Sequence, residues 1–299
     1  MRGKKKQGSA STVLLIVIFL AGLSLLLYPT VSNWWNNRNQ KQVIETYTQS
    51  VNDLNAEKYA ALLAEAEAYN RTLWNSGDIS ALPEDRLLQY DALLNVSGTG
   101  VMGYIEIPSI NCTLPIYHGT DEAVLQVAIG HLEWTSLPVG GESTHSVISG
   151  HRGLPSAELL THIDKLDIGD KFYIHVLDKT LEYRVDNVAV VEPDDTELLR
   201  ITEGKDYMTL VTCPPYGINS HRLLVRGERV ETGGAAVGGQ INVNNEVRSV
   251  HLMYVIPVAL VLIVLAAGLL LWIENKRKNV YHGKHTKRNR RLQRGEEYE

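Results

Sequence analysis

Cysteine is scarce in this sequence: two residues in 299, Cys112 and Cys213. That excludes a scaffold built on disulfides. No Cys-x-x-Cys or His-Glu-x-x-His spacing occurs either, which leaves a zinc site without support. Charge is missing from two long stretches. Residues 11–28 contain no Asp, Glu, Lys or Arg, and neither do residues 252–273. Each is about long enough to cross roughly 30 Å of hydrocarbon as a helix. Proline and glycine are absent from a third stretch, residues 36–74; these are the residues that most readily interrupt a helix. With 44% hydrophobic and 21% charged residues, the chain is neither disordered nor collagen-like. The two apolar blocks argue against a soluble cytoplasmic protein.

Basic residues frame both blocks. Arg2, Lys4, Lys5 and Lys6 precede the first, and Trp34 and Trp35 follow it as an interfacial aromatic belt would. A cleaved signal peptide is the alternative, but no small-x-small site follows the apolar run, which favours an uncleaved anchor. Lys276, Arg277 and Lys278 follow the second block. By the positive-inside rule both termini are cytoplasmic and the middle lies outside. The amino-terminal tail carries four basic residues and no acidic one; from Glu274 onward nine basic residues face four acidic ones. Of a net charge of −5, tails of +4 and +5 leave −14 for the remainder. So acidic an external part excludes nucleic acid as a partner, because a phosphate-binding surface needs clustered Lys and Arg. The basic tails serve as topology signals and contacts with anionic lipid.

The external part changes texture along its length. Val43, Tyr47, Val51 or Leu54, Lys58, Leu62 and Ala66 recur at approximately helical spacing, which predicts one or two helices rising from the membrane. Breakers at 75–78 and 82–85 mark a loop, and residues 89–94 predict a last helical turn. Beyond Gly100 come short β-type runs at 102–107, 112–116, 146–149, 171–176, 181–191, 208–212 and 222–230. Two helical patterns interrupt them, at 122–129 and 157–163, and a third begins at Asp195. Many short strands with few helices predict a mainly β domain, a closed or nearly closed barrel. A glycine-rich linker at 232–250 leads back to the second apolar block.

Three residues in the β-rich part carry the chemistry. The run Thr209-Leu210-Val211-Thr212-Cys213-Pro214-Pro215 ends an apolar strand at a thiol, and the prolines prevent the ladder from continuing. His151 follows another strand between glycines, in Ser149-Gly150-His151-Arg152-Gly153. Arg222 opens the strand after the cysteine, in His221-Arg222-Leu223-Leu224-Val225. A thiol with an ordinary pKa of about 8.5 is only slightly ionised at neutral pH, so a nearby His is needed to take its proton and later return one to a leaving amine. A permanently charged Arg can hold a developing oxyanion. Against this stand plainer readings: a Cys112–Cys213 disulfide, scattered surface histidines and a solvated strand-end arginine.

Together these motifs resemble the sortases, specifically the class C, pilin-polymerising sortases of Gram-positive bacteria. The similarity rests on Thr209-Leu210-Val211-Thr212-Cys213, on His151 within Gly150-His151-Arg152-Gly153-Leu154-Pro155-Ser156, and on Arg222 within His221-Arg222-Leu223-Leu224-Val225-Arg226-Gly227. Residues 103–108 and 114–119 add to it, and the match runs from about Gly100 to Val230. The resemblance implies an eight-stranded sortase-type barrel and a two-step transpeptidation. Cys213 is then the nucleophile, His151 the acid and base, and Arg222 the oxyanion stabiliser. No cofactor and no metal are implied. The implied partners are pilin subunits that bear a Leu-Pro-x-Thr-Gly-like sorting signal and an acceptor lysine.

The expected organisation is a cytoplasmic tail at 1–10, a membrane anchor at 11–31, a helical or lid segment at 36–99 and the catalytic barrel at 100–231. The linker at 232–250, a second span at 252–273 and a basic cytoplasmic tail at 274–299 complete it. Class C sortases usually carry a lid with an Asp-Pro-aromatic motif. Residues 74–84 contain none, which predicts a lid that is absent, shortened or differently anchored. Cys112 is expected to be a small buried hydrophobe. The remaining alternatives are a sortase that anchors proteins to cell-wall precursor, and a non-catalytic membrane-tethered binding domain.

Overall fold

The computed structural model describes residues 8–76, 82–213 and 220–230, together with Gly268. The chain divides into two units, Met1–Val237 and Gly238–Glu299. The second unit holds the apolar block at 252–273 and the basic tail, and apart from Gly268 it lies outside the described residues. The glycine-rich linker lies outside them too.

The first apolar block and the polar segment after it form one helix, α1 (Gly8–Asn52), with Pro29 inside it. Anchor and external helix were expected as separate pieces. No helix breaker stands between residues 30 and 52, so nothing in the sequence interrupts the helix where it leaves the apolar run. Among the described residues this is the one helix long and apolar enough to cross a membrane. It ends before Asn55, whose side chain caps α2 (Ala56–Asn75) by accepting from the Lys58 amide at 2.8 Å. Helix α3 (Glu84–Ala92) begins inside the segment read as a loop, with Glu84 and Asp85 in its first turn, where the helix dipole favours acidic side chains.

Eight strands then close a barrel in the order β1-β2-β3-β4-β7-β8-β6-β5. They are β1 (Val101–Ile107), β2 (Cys112–His118), β3 (Ile129–His131), β4 (Thr144–Ser149), β5 (Lys171–Val176), β6 (Lys179–Val191), β7 (Asp206–Thr212) and β8 (Arg222–Arg229). Seven match the β-type runs of the sequence. The eighth, β3, replaces the end of the helix expected at 122–129, which shrinks to α4 (Glu122–Leu125). No helix forms at 157–163. That stretch instead pairs Leu159 with Arg152 in an isolated bridge and ends in a short 3-10 turn, Ile163–Lys165. At Asp195 the expected helix is a single 3-10 turn, Glu197–Leu199. Pairs β2–β3 and β4–β7 are parallel; all others are antiparallel.

The barrel interior and the helices share one core. Tyr69 from α2, Tyr90 from α3 and Leu93 and Leu94 beyond it join Met102, Ile105, Ile116, Ile148, Phe172, Tyr183 and Leu210 of the strands. A second, smaller cluster covers the outer face of the β4, β7 and β8 sheet: Val147, Val211 and Leu224 lie under Leu132, Trp134, Leu198 and Leu199. The middles of these three strands are therefore covered on both faces, and the polar residues buried with them, Thr144, His145, Ser146, Thr209 and Thr212, come from β4 and β7.

Buried polar groups pin the layers. The Asn70 side chain bonds both ways with the backbone of Leu137, donating at 3.1 Å and accepting at 2.8 Å. His145 donates from Nδ1 to the Arg200 carbonyl at 2.9 Å and accepts from the Thr209 hydroxyl at 2.7 Å, tying β4 to β7. His131 donates from Nε2 to the Ser136 carbonyl at 2.8 Å and accepts from the Tyr90 hydroxyl at 3.0 Å. Burial drives both rings towards the neutral form, His131 down to about 3 and His145 down to about 4.

Candidate active site

The register of three adjacent strands builds the site. In the parallel pair, Thr144 lies opposite Asp206 and Ser149 opposite Val211; the Gly150 amide continues the ladder with a 3.1 Å bond to the Val211 carbonyl. Two residues further along each strand stand His151 and Cys213. In the antiparallel pair, Thr212 lies opposite Leu223, so the next step sets Cys213 beside Arg222. The sequence separates these three residues, and the barrel aligns them across one rim with the cysteine in the middle.

Each residue has a local reason for its position. Strand β7 stops at Thr212, because Pro214 and Pro215 have no amide hydrogen for a ladder. The thiol is half-buried. Strand β4 gives way at Gly150, just past Ser149, where a Cβ would lie 2.7 Å from Ile129 Cγ2 and 2.9 Å from Leu160 Cγ. Only glycine lets the backbone lie this close to the core as it turns to present His151. The Leu160 amide donates to the His151 carbonyl at 3.3 Å, and Arg152 pairs with Asp164 at 2.6 Å, which holds the loop behind the imidazole. Arg222 is the first residue of β8 and lies opposite Val191 of β6; its guanidinium donates to the His221 carbonyl at 3.1 Å.

A fourth residue enters the site that the sequence did not single out. Glu122, in the first turn of α4, places Oε2 3.7 Å from His151 Nε2. That nitrogen is buried and has no hydrogen-bond partner among the described residues. The glutamate is 72% exposed, so water screens its influence and the pair is weak. No spacing motif joins residue 122 to residue 151, so the sequence offered no signal for it.

The second cysteine stands apart from this chemistry. Both thiols are free, which overturns the alternative of a Cys112–Cys213 disulfide. Cys112, expected to be buried, is only partly so: it opens β2 and packs against the main core, with its sulfur 3.8 Å from the Leu159 carbonyl. Burial, and then the charge of Glu158, push its thiol up to about 12, so it is held as the unreactive protonated form. His118 stands within hydrogen-bond distance of two carbonyls, Gly100 at 2.9 Å and Leu93 at 2.7 Å. It ties the end of α3 to the barrel. Within residues 74–84, where a lid motif was sought, 77–81 lie outside the described part of the chain, so the expectation of an absent, shortened or differently anchored lid falls partly on them.

The arrangement is similar to known proteins across the whole barrel. A Sortase domain model matches residues 105–230. The crystal structure of sortase C1 from Streptococcus agalactiae superposes with a TM-score of 0.62 at 49% identity, covering 64% of this chain and 99% of that one. Sortase C of Clostridium perfringens, solved with its C-terminal cell wall sorting motif, gives a TM-score of 0.56 at 47% identity, again covering 64% and 99%. Sortase D of Bacillus subtilis is 30% identical over 131 residues; the match takes in 43% of this chain and spans 63% of that protein's length. A nearly complete sortase C1 chain is thus matched at close to half its residues, on the barrel whose register aligns the thiol, imidazole and guanidinium. This chain belongs to the sortase family of cysteine transpeptidases, with class C sortases as its structural neighbours.

Proposed function

We propose that this chain is a membrane-anchored pilin polymerase that cleaves a Leu-Pro-x-Thr-Gly-like sorting signal between Thr and Gly. The observation that carries the reading is the register of β7 with β4 and β8, which brings His151 and Arg222 to either side of Cys213. The Cys213 thiolate attacks the Thr carbonyl carbon, and Arg222 stabilises the negative charge that develops on the oxygen. The Thr–Gly C–N bond breaks as His151 donates a proton to the departing glycine amine, leaving a thioester on Cys213. The amine of a pilin lysine then attacks the same carbonyl and loses a proton to the imidazole. The C–S bond breaks, the thiolate is restored and an isopeptide bond joins two subunits. No redox partner or metal enters the balance.

Helix α1 anchors the enzyme, and by the positive-inside reading the barrel works outside the cell with both termini in the cytoplasm. The test mixes the full chain with a candidate pilin bearing the signal, beside Cys213→Ala, on a reducing, denaturing gel. The expected outcome is a ladder that survives boiling and reductant and forms with the parent only. Cleavage without a ladder, in the presence of an acceptor pilin, would move the assignment to cell-wall anchoring. No reaction across several signals would overturn it.

A further inference from the structure

Helix α1 does more than connect a membrane segment to a barrel, because its side chains hold the rim that carries the site. Asn33 Oδ1 accepts from the Glu158 amide at 3.0 Å, and Asn36 Nδ2 donates to the Ser156 carbonyl at 2.7 Å. Both partners lie in the loop immediately after His151. Four residues on, Gln40 Nε2 donates to the Val127 carbonyl at 2.7 Å, between α4 and β3. Further along, Tyr47 binds the other end of the barrel: its hydroxyl donates to the Met102 carbonyl at 3.0 Å and accepts from the Leu177 amide at 2.8 Å. Met102 is the second residue of β1, which runs in the same direction as β4 and β7. The helix therefore passes the catalytic end first and the opposite end last.

The height of that end follows from the length of the helix. A hydrocarbon layer of roughly 30 Å takes about 20 residues, so a span that starts at Ser11 emerges near Thr30. At about 1.5 Å per residue, Asn33 lies only about 5 Å further along and Asn36 about 9 Å. A bend at Pro29 can only shorten these heights. The headgroup layer is itself about 5–7 Å deep. At this level Val31, Trp34 and Trp35 are 51%, 42% and 57% exposed, an apolar and aromatic belt on the helix. Pro155 and Glu158, in the loop held by the two asparagines, are exposed as well.

We infer that the catalytic rim is docked on the lipid headgroups: the loop at 153–158 rests against the bilayer surface, and the site opens at the membrane rather than away from it. This rests on the anchoring reading above and deepens it. The enzyme would then act on a polypeptide whose cleavage site is presented within a few residues of the bilayer. The far end of the barrel, with Thr202 and Glu203 before β7, would stand about 20 Å higher, the length of a strand of six or seven residues.

The test is a depth measurement on the full chain in phospholipid vesicles. Cys112→Ala and Cys213→Ala clear the background, and a fluorophore is attached at Pro155→Cys or, as the control, at Glu203→Cys. Lipids with a nitroxide on the headgroup should quench the label at 155 several-fold more strongly than the label at 203. Equal, weak quenching at both sites in a chain that sediments with the vesicles would overturn docking and leave anchoring standing. A chain that does not sediment with them would overturn both.

A second variant inserts seven helix-forming residues between Val31 and Ser32. This lifts the barrel by about 10 Å and keeps its face nearly unchanged. Quenching at 155 should fall several-fold, towards the level at 203. In the Cys213-containing chain, the insertion should reduce turnover of a vesicle-tethered signal several-fold and spare a soluble peptide with the same signal. Equal turnover of the tethered signal with and without the insertion would count against docking. Failure of the uninserted chain to turn over the soluble peptide would count against the sortase reading alone.

Discussion

Strands β7 and β6 lie on either side of β8, yet they meet solvent in opposite ways. In β7 every residue after Asp206 is buried, because the core covers one face and the cluster of Leu132, Trp134, Leu198 and Leu199 covers the other. In β6 the second half alternates, with Val188 and Val190 41% and 60% exposed. The strand that leads to Cys213 is clamped on both faces, while its neighbour across β8 keeps one face open. A catalytic constellation has to be held to within a fraction of an ångström, and two-sided burial is how this barrel supplies that restraint. The open side of β6 is left to present a surface.

The contrast can be broken most sharply at the end of β7. Cys213→Ala should lower transpeptidation by at least about a thousandfold while leaving the melting temperature within error, since the thiol is only half-buried. A comparable loss of stability would mean that the thiol holds the fold. One turn deeper, Leu210→Ala removes a fully buried side chain and should cost about 2–5 kcal/mol in urea unfolding.

Acid should act through the same clamped region. Unfolded, the imidazoles of His131 and His145 take up protons near pH 6.5; folded, they resist until about 3 and about 4. Folded pKa values below the unfolded ones mean stability that is complete above about pH 6.5 and lost as pH falls towards 4. The expected loss is on the order of a few kcal/mol, partly offset by Asp206, whose burial raises its carboxyl. His145→Gln should flatten the slope of urea stability against pH between 6.5 and 4. An unchanged slope would remove that ring from the account. At the small end, Val190→Ser on the open face of β6 should shift stability by no more than about 0.5 kcal/mol.

A last comparison is chemical. Iodoacetamide at neutral pH should modify Cys213 and spare Cys112 until urea exposes it, as a mass spectrum of the intact protein would record. Labelling of both cysteines at equal rates in the folded chain would contradict the protection of Cys112 by its packing against the core and its raised thiol pKa.

Much of this architecture was legible in the sequence, and the misses have physical causes. Strands such as β7 announce themselves as apolar runs stopped by Pro214 and Pro215. The three-residue β3 is too short to show a period of two, so Ile129 was absorbed into the helical pattern before it. At 157–163 the apolar spacing suited a helix, but Leu159 takes a left-handed φ of 39° and bridges to Arg152, contacts set by the loop around His151 rather than by local preference. The three site residues were legible as motifs; their alignment needed the parallel β4–β7 register. Glu122, Asn33 and Asn36 were invisible because partners 29 to 125 positions away leave no local spacing.

The parallel pairing of β4 with β7 also bears on when the enzyme becomes active. Residues 62 apart, such as Thr144 and Asp206, must meet before that ladder exists, and such non-local closure is slow compared with forming helices or hairpins. Until that ladder forms, Cys213 and His151 stand on separate, unjoined segments. On the reading proposed above, acyl transfer therefore waits for the barrel to close.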